Sequence, residues 1–360
     1  RESRVSLKIL DRYLAKAVIV GTLIALAVLV PLLGFFLLAD EMDEVGKHDY
    51  QFLDAFVFVG LMLPRFAYQI FPIATLIGAL LGLGMLASRS ELMAMRAAGV
   101  SITGILGGAL KGGVLLALIA VLVGEVLGPT AEYRGLQHRA EAQGGQVTLR
   151  TKYGFWARDG AEYINIRDIL PGDQLRDIYI YEFDRQQRLK LATHARAARY
   201  EAGGWVLADI QQSRVSDQGV TVHHLDQAGW DSLLDPGLLR LVVVEPKALP
   251  ILELHRYIRF LNQGGQEAEP YELAFWGKIV HPFVVLAMIF IALPILFGST
   301  RTAGLGARVF LGLMVGIAFA MVSQTFAYFA LLYNMSALVA AVSPTLLFLV
   351  GAVWVLRRFG

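Results

Sequence analysis

The sequence predicts a polytopic α-helical membrane protein: six transmembrane helices, with an all-β domain of β-jellyroll type inserted between helices 3 and 4. Three observations predict it. Hydrophobic residues make up 56% of the 360 and charged residues only 17%, against about 45–50% and about 25% in soluble domains. The apolar residues gather into long runs without charge. Between the third and fourth runs lies a polar stretch in which apolar and polar residues alternate with a period of two. A mean hydropathy of +0.55 argues against a soluble enzyme and against disorder. A net charge of +2, from 32 basic and 30 acidic residues, gives no bulk field to recruit nucleic acid. The absence of cysteine excludes a disulfide scaffold, a thiol nucleophile and thiolate metal sites.

Charge placement delimits each span. Residues 17–39 are uncharged between Lys16 and Asp40, and residues 66–88 between Arg65 and Arg89. From Ala97 to Gly124 only Lys111 is charged, and residues 279–300 are clear between Lys278 and Arg301. Residues 309–356 hold no charge. As one helix they would reach about 72 Å, over twice a hydrocarbon core of about 30 Å. They therefore form two spans, turning at Tyr333-Asn334-Met335-Ser336. The first run exceeds the roughly 7–15 apolar residues of a signal peptide and lacks a small-residue cleavage site, so it reads as a span. Residues 52–88 would reach about 55 Å as one helix. We expect 52–63 to be interfacial or protruding and to kink into the membrane at Pro64, leaving Arg65 at the outer end of span two.

Lysine and arginine set the orientation. Arg1, Arg4, Lys8, Arg12 and Lys16 precede the first span, and Asp40, Glu41, Asp43, Glu44 and Asp49 follow it. Arg89 and Arg96, Arg301 and Arg308, and Arg357 and Arg358 fall on the same side as the first group. Both termini are expected in the cytoplasm, with domains at 1–127, 128–270 and 271–360, the middle one outside. That segment carries 17 basic and 19 acidic residues. Its strand candidates are Tyr163–Ile166, Ile178–Phe183, Ala197–Glu201, Trp205–Asp209, Gln212–Val215, Val220–Leu225 and Leu241–Val244. Short polar turns such as Asp217-Gln218-Gly219 separate them. Many short strands at about 8–12-residue spacing indicate an antiparallel sandwich or jelly roll. A helix over Leu252–Leu261, ended by Gly264-Gly265, closes the domain.

Catalytic signatures are missing. No G-x-x-x-x-G-K-[ST] occurs, so ATP is not bound in that manner. Gly82-Leu83-Gly84 and Gly304-Leu305-Gly306 lack the third glycine of a dinucleotide turn. His223 and His224 would face opposite sides of a strand, which does not suit a shared metal. His281 and several serines near the spans leave an intramembrane hydrolase as a distant alternative, without a constellation to support it. No catalytic residue, cofactor or metal is expected. Gly78/Gly82, Gly104/Gly108, Gly108/Gly112 and Gly312/Gly316 are small-xxx-small pairs, suited to packing within the bundle or against another subunit.

Ionisable groups at membrane depth call for an explanation. Lys111 sits about ten residues into the third span, at the limit of snorkelling. Arg65 and Glu125 sit near outer ends, and Arg134 and Arg139 lie on the outward continuation of the third helix. Two readings stay open: interfacial snorkelling, or a basic lip that grips an anionic amphiphile, whose phosphates suit the planar guanidinium. The stretch from Ser88 to Gly99 predicts a short helix, with Ser88 or Ser90 as cap, Glu91 in the first turn and Gly99 at the end. Leu92 and Met95 form an apolar patch on one face. Met93 adds an adaptable side chain, and Arg89 and Arg96 add charge. It is either an ordinary connecting helix or a docking surface for a soluble partner.

Leu10-Asp11-Arg12-Tyr13, the run from Phe71-Pro72-Ile73-Ala74 through Gly82-Leu83-Gly84-Met85-Leu86-Ala87-Ser88-Arg89-Ser90-Glu91-Leu92, and Trp276-Gly277-Lys278-Ile279-Val280-His281-Pro282 together resemble the LptF/LptG family. These are permeases of the lipopolysaccharide-export ABC transporter of Gram-negative bacteria, and the motifs look closer to the LptG branch. The resemblance covers nearly the whole chain. It implies a non-enzymatic inner-membrane subunit with a periplasmic β-jellyroll, paired as a heterodimer with an LptF-like chain over a dimer of an LptB-like ATPase. Lipopolysaccharide would leave the outer leaflet of the inner membrane through a cavity between the permeases and pass to LptC-like and LptA-like periplasmic proteins. Glu91 falls at the coupling-helix acid that meets the ATPase, with Arg89, Leu92 and Met95 around it. Arg65 and Arg139 fall at basic positions similar to the family's lipopolysaccharide contacts, and Arg134 is a near neighbour. One departure stands out: family members carry lysines just past the first span, where this chain has Asp40-Glu41-Met42-Asp43-Glu44 and Lys47. Gripping of phosphate then shifts to Arg65, Arg134 and Arg139, unless divalent cations bridge acid and phosphate. A permease for another lipid or for lipoproteins, and a membrane-anchored β scaffold for periplasmic partners, are the rival readings.

Overall fold

A computed structural model describes residues 2–47, 49–143, 155–159, 162–170, 174–184, 186, 188–201, 204–216, 219–230, 246–263, 265–297, 304–333 and 335–359. Six of its helices are long and apolar enough to cross a membrane, and a six-stranded antiparallel sheet is inserted between the third and the fourth. The chain divides into two compact units, one of residues 1–41, 59–132 and 272–360, the other of residues 42–58 and 133–271.

The first unit is the helical bundle. Span one lies in α1 (Glu2–Glu41), and span two in α2 (Phe52–Ser88), which passes Pro64 and Pro72 without a break. The helix expected over 52–63 is continuous with span two. A short α3 (Glu91–Ala97) leads to span three, α4 (Ile102–Leu122), whose first turn is capped by Ser101 Oγ accepting from the Gly104 N–H at 3.1 Å. A π-turn at Val123–Leu127 then joins α4 to α5 (Gly128–Ala142). Span four is α7 (Glu269–Phe297), and the charge-free run forms α8 (Leu305–Tyr333) and α9 (Ala337–Phe359), broken at the expected turn.

The second unit is built on β1 (Phe155–Asp159), β2 (Glu162–Leu170), β3 (Gln174–Phe183), β4 (Leu189–Glu201), β5 (Gly204–Ser216) and β6 (Gly219–Trp230), paired in sequence order. Ile164, Ile166, Ile178, Ile180, Leu207 and Ile210 are buried in its core with Trp205 and Trp230. The two strands expected at Trp205–Asp209 and Gln212–Val215 are one. Burial alternates through Trp205 and Leu207, then slips by one residue to Ile210, which imitates a strand end. The slip has a cause. Asp209 takes φ 54° and Asp177 φ 50°, a region that short polar side chains tolerate better than others. At that level the ladder skips a residue in each central strand, so Arg167, Asp177, Arg196, Asp209 and Asp226 form one transverse row outside the regular pairing. Arg196 pairs with Asp209 at 2.9 Å. The candidate strand Leu241–Val244 lies outside the described residues. The helix expected at Leu252–Leu261 is α6 (Ile251–Gln263), which buries Leu254, Tyr257 and Leu261 along one stripe and sets Phe260 against the sheet core.

The helix α1 packs against α2 and α4 by small residues. A Cβ at Gly21 would stand 2.1 Å from the Gly78 carbonyl oxygen, one at Gly78 2.3 Å from the Thr22 backbone, and one at Gly82 2.1 Å from the Ala17 carbonyl oxygen. On the α4 side, a Cβ at Gly112 would meet the Ala15 carbonyl oxygen at 2.7 Å. Gly312 and Gly316 face Leu80 and Ile73 of α2. These glycine pairs thus serve packing within the chain. Because the obstructing atoms are backbone, the helices themselves would have to move. Gly78→Val is expected to lose more than the roughly 1–3 kcal/mol of ordinary overpacking and to lower the melting temperature of the detergent-solubilised chain. Gly351→Val, where a Cβ meets nothing within 4 Å, is the control expected to leave it unchanged.

Candidate functional site

The first candidate region is α3. Ser90 occupies the N-cap position with φ 61°, and its side chain makes no capping bond. Ser88 Oγ instead donates back to the Met85 carbonyl at 2.8 Å, so neither serine caps the helix in the expected way. Gly99, at φ +93°, ends the segment. The expected apolar patch is turned inward. Leu92 is 1% exposed in the bundle core, with Met95 partly buried against the same cluster. The two do share a face, but that face joins the core cluster that holds Leu14 and Ile105 rather than solvent. Arg89, Met93 and Arg96 are the large exposed side chains of the segment, beside Ser88, Ser90, Ala94, Ala97 and Ala98. Glu91 Oε2 accepts a hydrogen bond from Tyr13 Oη of α1 at 2.6 Å. Arg96 lies over the Phe297 ring of α7, 5.9 Å from its centroid. Lys111, the charge inside span three, is answered by Asp11 of α1. Within three residues of Leu10-Asp11-Arg12-Tyr13, α1 therefore holds both α4 and α3.

The second candidate region is the set of arginines. Arg65 belongs to the bundle unit, where it pairs with Glu132 of α5, itself only 3% exposed. Arg134 and Arg139 belong to the β-domain unit. Arg139 is 3.9 Å from Glu44 and lies over the Phe58 ring, 5.1 Å from its centroid. Glu44 also takes Lys47 at 2.8 Å and Gln143 at 3.2 Å. One of the acids that replaces the expected lysines therefore has a structural task. Arg134 is exposed, and its side chain makes no ion pair or hydrogen bond among the described residues.

A third region was not anticipated from the sequence as a unit. Lys278 of α7, 8% exposed, donates to Glu125 Oε1 at 2.8 Å and to the Gly124 carbonyl at 3.1 Å, both in the π-turn. It also lies 5.6 Å from the centroid of the Tyr68 ring of α2. One turn further along α7, His281 Nε2 donates to the Tyr68 carbonyl at 3.0 Å and stacks on the Tyr68 ring at 4.0 Å. The local sequence explains each bond. Pro72 has no N–H, so the Tyr68 carbonyl four residues earlier loses its helical donor. Gly128 N–H bonds Val123, the π pattern, so the Gly124 carbonyl loses its donor as well. Pro129 would press its ring on the Glu125 carbonyl in a regular helix, which favours the wider turn. Gly124 leaves room for the Tyr68 ring, to which a Cβ would come within 2.4 Å. The legible signals were Glu125 as an ionisable group and the motif holding Lys278 and His281; what joins them is a spatial pairing 153 residues apart. Among the described residues no group of three or more histidines and acids is placed to hold a metal ion.

Residues 12–358 match the family described as lipopolysaccharide export system permease LptF/LptG. The chain is similar to the lipopolysaccharide export system permease protein LptG of Haemophilus influenzae, 36% identical over 352 residues, covering 97% of this chain and 98% of that protein. It is also similar to the protein of the same name from Escherichia coli K12, 33% identical over 353 residues, covering 97% and 98%. With six apolar spans, a β domain between the third and fourth, and a match over nearly its whole length, the chain belongs to the LptF/LptG family of lipopolysaccharide export permeases.

Proposed function

We propose that the chain is the non-catalytic permease subunit of an ABC transporter that extracts lipopolysaccharide from the outer leaflet of the inner membrane. It pairs with an LptF-like permease over a dimer of an LptB-like ATPase, which hydrolyses the ATP. The lipid passes on to LptC-like and LptA-like periplasmic proteins. Both termini and α3 face the cytoplasm, and the β domain faces the periplasm, in the layout 1–127, 128–270 and 271–360. Besides family membership, one observation carries this reading. The helix α3 is bound to the spans by a hydrogen bond, a buried leucine and a cation–π contact, so a push on it is passed on rather than absorbed. Glu91, Arg89 and Met93 face the ATPase, while Leu92 and Met95 anchor the helix to the bundle.

The arginines give the substrate side. Arg134 is available to phosphate as it stands. Arg65 and Arg139 already hold carboxylates, so a phosphate reaches their guanidinium groups by exchange. The bidentate fork of arginine favours a phosphate with several oxygens over a single carboxylate.

Glu91→Ala is expected to weaken pull-down of the ATPase or to uncouple its hydrolysis from transport, with membrane insertion intact. Tyr13→Phe is expected to give a smaller loss of the same kind. Normal lipopolysaccharide release by Glu91→Ala would remove the coupling role. On the substrate side, Arg134→Ala is expected to lower crosslinking to lipopolysaccharide without changing thermal stability. Arg65→Ala leaves Glu132 buried without that partner, a loss of about 3–5 kcal/mol for a buried pair. Its melting temperature should fall, and Glu132→Gln in the same chain should restore it. Unchanged crosslinking when all three arginines are replaced would overturn the phosphate-gripping role.

A further inference from the structure

The π-turn at Val123–Leu127 holds one residue more than an α-helical turn would. Each residue of α5 beyond it is therefore rotated by about 100° and set back by about 1.5 Å relative to an uninterrupted helix. The consequence falls on Arg65. The start of α5 lies against α2 there, since a Cβ on Gly128 would stand 3.8 Å from the Arg65 Cα. Four residues on, Glu132 meets the guanidinium. Along α5, Gly128, Glu132 and Gly135 are buried while Thr130, Tyr133, Arg134 and Gln137 are exposed, one regular helical stripe. Without the extra residue, each position would pass to its predecessor. Ala131 and Arg134 would then occupy the buried stripe, and Arg65 would face an alanine.

Pro129 favours the wide turn, but in an apolar bundle the carbonyl the turn strands is costly unless it finds another donor. The Gly124 carbonyl has that donor in Lys278, which simultaneously pairs with Glu125 on the same turn. We propose that Lys278 is a positioning residue for Arg65: by satisfying the carbonyl stranded at Gly124 it holds the π-turn open, and the rotation so fixed presents Glu132 to Arg65. The consequence for transport rests on the proposed role of Arg65 in holding lipid phosphate. The geometric claim does not.

Because the chain contains no cysteine, single cysteines report the rotation directly. Maleimide labelling of Arg134→Cys and Leu136→Cys, in the full chain in native membranes, is compared with and without Lys278→Met, which keeps the length and removes the donors. In the parent, position 134 is expected to label readily and position 136 less so. With Lys278→Met the labelling shifts by one residue, 134 losing reactivity and 136 gaining it, whereas Lys278→Arg keeps the parent pattern. Lys278→Gln, with a shorter reach, is expected to give a mixture of both patterns and serves if the methionine variant does not accumulate. The parent pattern in Lys278→Met, or in Lys278→Gln when only that variant accumulates, would overturn the proposal. Crosslinking to lipopolysaccharide from a photoreactive group at Gln69, exposed and one turn from Arg65, separates the two readings. If labelling shifts and crosslinking does not change, positioning stands and the substrate role of Arg65 falls.

Discussion

A backbone carbonyl in an apolar bundle cannot turn to water, and leaving it unpaired costs several kcal/mol. The end of the bundle where α4 gives way to α5 is organised by this constraint. Two carbonyls there lose their helical donors, Tyr68 through Pro72 and Gly124 through the π-turn, and both are answered from α7 by Lys278 and His281, one turn apart. Span four therefore binds spans two and three by backbone as well as by side chain. A substitution in α7 is felt in both partners. The Lys278 ammonium meets the Glu125 carboxylate and the Tyr68 ring, contacts that offset the cost of burying a cation.

The α3 end is held differently. Here α1 makes its close approach through Ala15, Ala17, Gly21 and the facing glycines, and its charged bonds are half-solvated. Lys111 is well exposed where it meets Asp11, and the Tyr13–Glu91 bond lies at the surface. Exposed pairs of this kind contribute little energy and are screened by salt. They fix direction rather than strength. Leu92 supplies the firm attachment, since it is buried with Leu14 in one cluster. The helix α3 is thus fastened by one buried leucine and steered by one hydrogen bond and one cation–π contact, so in the proposed coupling role a push on it would reach α1 and α7.

Much of this was legible in the chain itself. The spans followed from where charge is missing, because no soluble core needs 20 or so uncharged residues in sequence. The β insertion followed from the return of alternation. What failed did so for local physical reasons. Two strands were read in place of β5 because Asp209 slips the alternation by one residue. Leu92 was read as exposed because a spacing of three names a shared face without saying which way it points. The arginines were found, yet their state was not. Glu132 is 67 residues from Arg65, and nothing in either neighbourhood announces the other.

That pairing changes how the basic positions act. A guanidinium left empty at an apolar site would be costly between transport events, and a permanently occupied one would hold its cargo. Carboxylates on the same chain resolve the conflict. Glu132 on Arg65 and Glu44 on Arg139 neutralise the cations in this structure. If Arg65 and Arg139 hold lipid phosphate, as proposed, an incoming phosphate would replace one oxygen partner by another instead of filling a void. The net affinity would then be the difference between two similar interactions, small enough for release. On the same proposal, the rotation of α5 at the π-turn would decide which partner stands on Arg65 before the lipid arrives.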